Sequence, residues 1–398
     1  MSQELKKYHV TIIGAGLAGL TLGAILEKYH IDFTVLEIDP KPTSSAPHSG
    51  RTAALMSSSI NVLKSAEIWD EIKDACAPLK TLRIIDDSKE KRDAQIPADF
   101  HAHEIDLEAF GHNVPNDLLR FKLISKLHDH IQFGVSMRTF EDGILTLNTG
   151  ETFKTDLCVA ADGKYSATRA YFDIPVTEKD YEQSAITCKI NHGKPHENIS
   201  TELHRSGGPC TFVPLPDPHQ SSIVWVENTG DAEEILKLSK SDFIKALQER
   251  SCDVMGKISF ETPPQSWPLK SLRAKRITAP RTAFIAEAAH VLSPIGAQGL
   301  NLSMRDVAVL AELIIDTIQL GGDAGSPSVL SAYEAARKSD VTKRAFAVGT
   351  LNRLVNTDNP ILNMGRRTGL KIASSLPFLK HNLMREGLTA NDVKSRFL

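Results

Sequence analysis

Nowhere in these 398 residues do about eighteen apolar residues run together, so nothing reads as a membrane-spanning helix. Cysteine is scarce. The five present, Cys76, Cys158, Cys188, Cys210 and Cys252, are odd in number, scattered and never in a CxxC pair. That excludes a disulfide framework and a thiolate metal site, and it fits a reducing compartment. A basic surplus is missing too: the formal net charge is -3, and no basic stripe offers itself to nucleic acid. The pairs His101/His103 and His128/His130 lack well-spaced further ligands, so no metal is expected. Neither a GxSxG elbow nor a Walker A segment occurs, which removes the α/β-hydrolase and P-loop readings. No internal repeat or low-complexity tract is visible. The opening residues, MSQELKK, lead straight into a strand over Tyr8 to Ile13 with no apolar signal segment, so a cytoplasmic location is expected.

What is present is a chain with 41% hydrophobic residues, long enough for a large core shared by two closely joined domains. Val10 to Ile13 form a short β-branched strand, and GAGLAG follows at once over Gly14 to Gly19. Leu17 to Glu27 then has helical apolar spacing, and Phe33 to Leu36 supplies the next strand. This is a βαβ unit for a dinucleotide. Gly14 allows the tight turn, Gly16 admits a phosphate close to the backbone, and Gly19 lets helix and strand pack closely. Glu37 ends the second strand, where its carboxylate suits ribose hydroxyls and repels a 2′-phosphate, favouring FAD or NAD over NADP at this site.

Two later segments extend the pattern. In LCVAADGKYSATR, Leu157 to Arg169, an apolar strand delivers Asp162 and Gly163 to the strand edge where ligands of open α/β sheets bind. Asp162 either meets a sugar hydroxyl or makes a plain Asp-Gly turn. In FIAEAAHVLSPIGAQGLNLSMRD, Phe284 to Asp306, a strand over Thr282 to Ala286 gives way to Pro294 and Gly296, and helical spacing resumes over Leu300 to Leu313. Gly299, Leu300 and Asn301 then sit at a helix N-terminus, whose N–H groups and dipole favour negative charge such as that of a reduced flavin. His290 either serves acid-base chemistry beside the ligand or packs between strand and helix and steadies the loop, and the second reading is preferred.

At these residues the chain resembles the group A flavoprotein aromatic hydroxylases, the para-hydroxybenzoate-hydroxylase-like family, whose GxGxxG, DG and GD fingerprints appear here in order. Within that family the likeness is to the ubiquinone-biosynthesis hydroxylases. It is carried by GRTAALMSSSI at Gly50 to Ile60, GPCTFVPLPD at Gly208 to Asp217, SSIVW at Ser221 to Trp225 and the loop EAAHVLSPIGAQGLN, and it covers nearly the whole chain. The resemblance implies an α/β fold: a Rossmann-like FAD-binding domain over 1-76, 98-180 and 270-350, an inserted mostly antiparallel β-sheet substrate domain over 77-97 and 181-269, and a C-terminal helical region over 351-398. It implies that Gly14, Gly16, Gly19 and Glu37 hold the ADP half of FAD, that Arg51 lies near the flavin, and that Asp162, supported by Ser166 and Arg169, contacts FAD and faces the groove for NAD(P)H. Glu287 would reach the ribityl or pyrophosphate region, and Pro294, Gly296, Gly299, Leu300 and Asn301 would line the isoalloxazine. One departure stands out: the usual Gly-Asp is Ala286-Glu287, with a longer carboxylate and a less permissive backbone.

The implied reaction is an aromatic hydroxylation. NAD(P)H, a transient co-substrate, reduces non-covalently bound FAD, O2 adds at flavin C4a, and the distal oxygen passes to a polyprenylated phenol of ubiquinone synthesis. Alternatives are a hydroxylase of another, smaller aromatic, or a non-catalytic FAD-binding subunit of a biosynthetic complex. A flavin halogenase is disfavoured, because Trp69, Trp225 and Trp267 make no WxWxIP segment. Phe212, Pro214 and Trp225 are candidate walls of the substrate pocket or, as apolar strand residues, simply core, and no catalytic base is identified. From Met364 to Leu398 seven Lys/Arg stand against two Asp/Glu, with Leu370, Leu376, Phe378 and Leu379 interspersed. Such a segment suits either peripheral contact with an anionic membrane face, or a quinone-pathway partner complex, or docking on the enzyme body.

Overall fold

A computed structural model of the protein describes residues 5–42, 50–86, 97–293, 295–355, 376–388 and 393–398. Five strands run parallel in the order β19 (Thr282–Phe284), β11 (Thr152–Ala160), β1 (Lys7–Ile13), β2 (Phe33–Glu37), β8 (Ile131–Phe133). β18 (Thr278–Ala279) pairs antiparallel with β19, and the hairpin β9 (Met137–Glu141) and β10 (Ile144–Leu147) attaches to β11. The runs VTII, FTVL and LCVA are apolar on both faces because helices or the hairpin cover both faces of a parallel sheet. β1 is flanked by β2 on one side and β11 on the other, and the chain winds outward in both directions from there. The C-terminal ends of β1 and β11 therefore form the switch-point crevice in which open α/β sheets hold ligands.

Helix α1 (Leu17–Lys28) packs between this sheet, α3 (Asn116–Lys126) and α7 (Gln298–Gln319). Every residue from Ala18 to Leu26 is buried, which small side chains permit. α2 (Ser57–Ser65) follows β3 (Thr52–Met56), which pairs with β7 (Gly111–Pro115), itself paired with β4 (Ala77–Pro78). α8 (Pro327–Val355) packs on α7, and the short α4 (Ala167–Tyr171) follows β11.

A second sheet is ordered β20 (His290–Val291), β17 (Gln265–Ala274), β12 (Val176–His192), β15 (Gln220–Asn228), β14 (Gly208–Pro214), β13 (Ile199–Arg205), β5 (Thr81–Asp86), β6 (Ala98–His101), with β16 (Ile258–Phe260) on β12. All its pairings are antiparallel except β13 with β5. One face buries Ile186, Cys188, Phe212, Ile223 and Trp225 in a core that includes Ala232 of α5 (Thr229–Lys237) and Phe243 and Leu247 of α6 (Lys240–Arg250). The other face meets β3 and β7. The sheet reaches beyond the expected 77-97 and 181-269: it takes in Ala98–His101 and both outer ends of β12 and β17, because a hydrogen-bonded ladder continues as long as its partner does.

The C-terminal region docks on the body wherever it is described. Lys380 of α9 (Pro377–Leu388) pairs with Glu104 at 2.7 Å, and Met384 enters an apolar cluster with Phe100, Ile105 and Phe110. Val393 and Phe397 join the main core, Phe397 lying edge-on to Tyr29 at 5.8 Å while Arg396 pairs with Asp316 at 2.8 Å. Among the described residues no helix is long and apolar enough to cross a membrane. Phe397→Ala is expected to cost about 3 kcal/mol of stability, the usual loss for a buried phenylalanine. A thermal midpoint equal to that of the parent would show instead that the last residues merely rest on the surface.

Candidate functional site

The glycine turn closes against the end of β11. Gly14 has φ 107°, and a Cβ there would lie 2.5 Å from the Ala161 carbonyl oxygen. Gly19 is equally constrained, since its Cβ would strike the Gly14 carbonyl. Gly16 differs: nothing lies within 4 Å of where its Cβ would be. Protein packing thus explains Gly14 and Gly19, while the space at Gly16, the N-cap of α1, is open at a helix start that carries orphan N–H groups and the positive end of the dipole. The buried Glu37 carboxylate braces this turn, accepting from Ala15 N–H at 2.7 Å and Asp39 N–H at 3.1 Å. Two of its roughly four acceptor positions are thereby used.

Arg120 of α3 completes the brace. It donates Nε to the Ala15 carbonyl at 2.9 Å, and its guanidinium stands 3.7 Å from Glu37. Sequence reading missed it, because a lone arginine on a helix carries no signal until the fold brings residue 120 to residue 15.

Asp162 faces the same crevice. One carboxylate oxygen accepts Thr168 N–H at 2.9 Å at the start of α4, where Ser166 caps by accepting Arg169 N–H. The other oxygen, Oδ1, is buried without a protein partner. A buried carboxylate oxygen left bare is costly unless something donates to it, which fits a ligand hydroxyl. Buried Arg169 ties this turn to the late loop by donating to the Lys164 and Ala288 carbonyls at 2.8 and 2.9 Å.

The late loop begins at Ala286, where the glycine of the usual fingerprint is replaced. The backbone nevertheless keeps the left-handed conformation, φ 55°, at a cost of roughly 1 kcal/mol, and it leaves Glu287 exposed. The Ala286 N–H donates to Asp306 Oδ2 at 2.9 Å. The same oxygen lies 2.6 Å from His290 Nε2, so His290 is buried and engaged within the protein. Arg337 donates to Asp306 Oδ1 at 2.7 Å. Burial by itself would raise the Asp306 carboxyl, but His290 and Arg337 hold it below its ordinary value, and Arg337 and Arg305 do the same for Asp340.

Gly296 and Ala297 are both left-handed, at φ 72° and 53°, and α7 starts immediately after them. Gly299 in its first turn, like Gly16, has nothing within 4 Å of a Cβ. Leu300 is half-buried beside the main core. Pro294 lies outside the described residues. The side chain of Asn301 is spent inside the protein. Its Oδ1 accepts from Met56 N–H and Ser59 O–H at 2.8 and 2.7 Å, and its Nδ2 donates to the Ala54 and Ala297 carbonyls at 2.8 and 2.6 Å. A primary amide has no more to give, so Asn301 staples β3 and α2 to the start of α7.

Arg51 precedes β3, and its guanidinium stacks on Trp267 of β17 at 4.6 Å. Phe212 and Trp225 are 0% and 2% exposed and fill the core beneath α5 and α6 rather than a pocket wall. Their strands are buried on both faces, so alternation gave no sense of which face meets the flavin domain. The register puts Thr211, Val213, Ser222 and Val224 on that side. Ser222 bonds Thr52 at 2.9 Å, and Pro214 accepts from Asn113 at 2.8 Å through its carbonyl, so both sit at the seam between the two sheets.

The sequence model of the family described as FAD binding domain matches residues 7–346. The chain is 29% identical over 389 residues to the ubiquinone hydroxylase UbiL of Rhodospirillum rubrum, covering 95% of this chain and 89% of that protein. It is 25% identical over 392 residues to the 3-demethoxyubiquinol 3-hydroxylase of Escherichia coli K12, covering 95% and 98%. Its fold superposes with a TM-score of 0.79 on the crystal structure of p-nitrophenol 4-monooxygenase PnpA from Pseudomonas putida, at 16% identity and with 99% and 100% coverage.

Gly16→Ala is expected to cost at most about 1 kcal/mol of fold stability yet to lower dinucleotide affinity at least about ten-fold; calorimetric titration checks it, and unchanged affinity would refute the cradle. Because Asp306 and Asp340 titrate below 3.8 in the folded chain, their contribution is complete above that pH and lost as pH falls through their lower folded values. The thermal midpoint should therefore drop steeply below about pH 4. A flat acid limb would mean that these carboxylates are not charged in the native state.

Proposed function

The chain belongs to the FAD-binding-domain family, and from that premise we propose that this flavoprotein hydroxylates a polyprenylated phenol in ubiquinone synthesis, using NAD(P)H and O2. Two helix starts support the reading most directly. The open glycines Gly16 and Gly299 stand at the N-termini of α1 and α7, which pack on each other, while the bare Asp162 oxygen lines the switch-point crevice. That is a site for a long ligand carrying negative charge at two places, as FAD does at its pyrophosphate and, once reduced, at its ring. Similarity over 95% of the chain to two ubiquinone-pathway hydroxylases supports the choice of substrate class.

In this reading Gly14, Gly16 and Gly19 receive the pyrophosphate, and Glu37 uses its remaining acceptor positions for the adenosine ribose. Asp162 and Glu287 serve the middle of the cofactor, and the backbone from Gly296 to Leu300 faces the ring. FAD when bound supplies the redox chemistry and the activation of oxygen. The protein positions the ring through the Asn301 staple, and the second sheet, through the face bearing Thr211, Val213, Ser222 and Val224, covers the reacting centre from water. α9 turns Lys380 and Met384 inward and leaves Phe378 80% exposed, so contact of the basic C-terminal region with an anionic membrane face is part of the proposal.

In cells lacking the protein, mass spectrometry should find a prenylated ring one hydroxyl short, and the purified protein should oxidise NAD(P)H faster when given that compound, with hydroxylated product formed. Normal quinone in the mutant would redirect the assignment to another aromatic. Flavin binding without any substrate-stimulated oxidation would favour a non-catalytic subunit.

A further inference from the structure

One chain of buried charges runs from the first turn of the late loop to its last. It starts at Asp306, which holds the Ala286 N–H, faces His290 and accepts from Arg337. Arg337 donates Nη1 to Asp340 at 2.8 Å. Asp340 Oδ1 accepts from Arg344 Nε at 3.0 Å and from Arg305 at 3.2 Å. Arg344 then donates Nη1 to Gln298 Oε1 at 2.7 Å, and Gln298 returns its amide to the Gly296 carbonyl at 2.8 Å. Ala286 and Gly296 are the two left-handed turns that shape the loop, and the charge chain reaches both by way of α8.

Packing of α8 on α7 does not require this arrangement, since apolar side chains of similar volume would join two helices without desolvating five charges. Nor would packing alone require the chain to end on both turns. Arg344 also bonds directly to the first turn of α7 through Gln298. We infer that Arg344 and Asp340 are positioning residues for the flavin: acting through Gln298 and Asp306 they lock both ends of the ring-facing loop, and the Arg344 guanidinium at the first turn of α7 favours the negative charge of the reduced ring.

The inference rests on the reading that this loop faces the isoalloxazine, so the test compares FAD with ADP, which reaches only the first glycine turn. Arg344 is at the edge of the chain, its side chain 14% exposed, so its variants should fold. In apoprotein titrations, Arg344→Met and Gln298→Leu should weaken FAD about ten-fold, the effect of losing one charged hydrogen bond, and leave ADP unchanged. The midpoint potential of bound flavin should fall in Arg344→Met and hold in Gln298→Leu. Arg344→Lys should restore the potential but only part of the affinity, because an ammonium cannot bridge Asp340 and Gln298 as the guanidinium fork does. FAD affinity within about two-fold of the parent in both variants, or equal losses for FAD and ADP, would overturn the inference. A parent protein that binds FAD no more tightly than ADP would overturn the flavin-facing loop as well.

Discussion

The absence of a side chain at residue 14 is the constraint on which the site depends. The turn after β1 passes so close to the Ala161 carbonyl that no Cβ fits, and this contact brings the glycine turn and the Asp162 turn to opposite walls of one crevice. Several features hang from it. Gly14 N–H bonds the Leu36 carbonyl, which sets the end of β2 and so delivers Glu37 to the loop it braces, and Ala161 N–H bonds the Ile13 carbonyl. A methyl group at this point would push the ends of β1 and β11 apart at the mouth of the switch-point crevice.

The opposite side of the site is built by polar burial instead of close packing. Asn301 spends its whole amide on β3, α2 and the turn before α7, joining segments some 245 residues apart in the chain. Asp306 similarly holds the strained Ala286 turn. Such groups are expensive to bury and become tolerable only when every donor and acceptor is met. They define one geometry in return, which suits a loop that opens a helix N-terminus. The alanine at position 286 shows the strength of that definition, since the glycine conformation persists without the glycine.

Legibility differed between the two halves. The FAD-binding half was readable because its requirements are local: a β-branched strand, glycines at fixed offsets and a helix start occur within a few residues, and each follows from sterics along the chain. The second sheet was readable as strands but not as faces. Phe212 and Trp225 are as apolar as any pocket wall, and only the pairing of β14 with β15 and the placement of α5 and α6 send them into the core, leaving Thr211 and Val224 toward the flavin side. The amide of Asn301 was likewise visible at a helix start, whereas the residues that consume it were not.

The sequence alone determined the βαβ unit and the order of the three fingerprint segments, because these rest on backbone sterics within short stretches. Tertiary structure alone decided which partners complete the site: Arg120 at Ala15, Asn301 at Met56 and Ser59, and the Arg344 chain under α7. Those contacts join residues tens to hundreds of positions apart. Whether a polar side chain meets a ligand or another part of the protein depends on which groups are buried opposite it, and that is settled only when the sheets and helices pack.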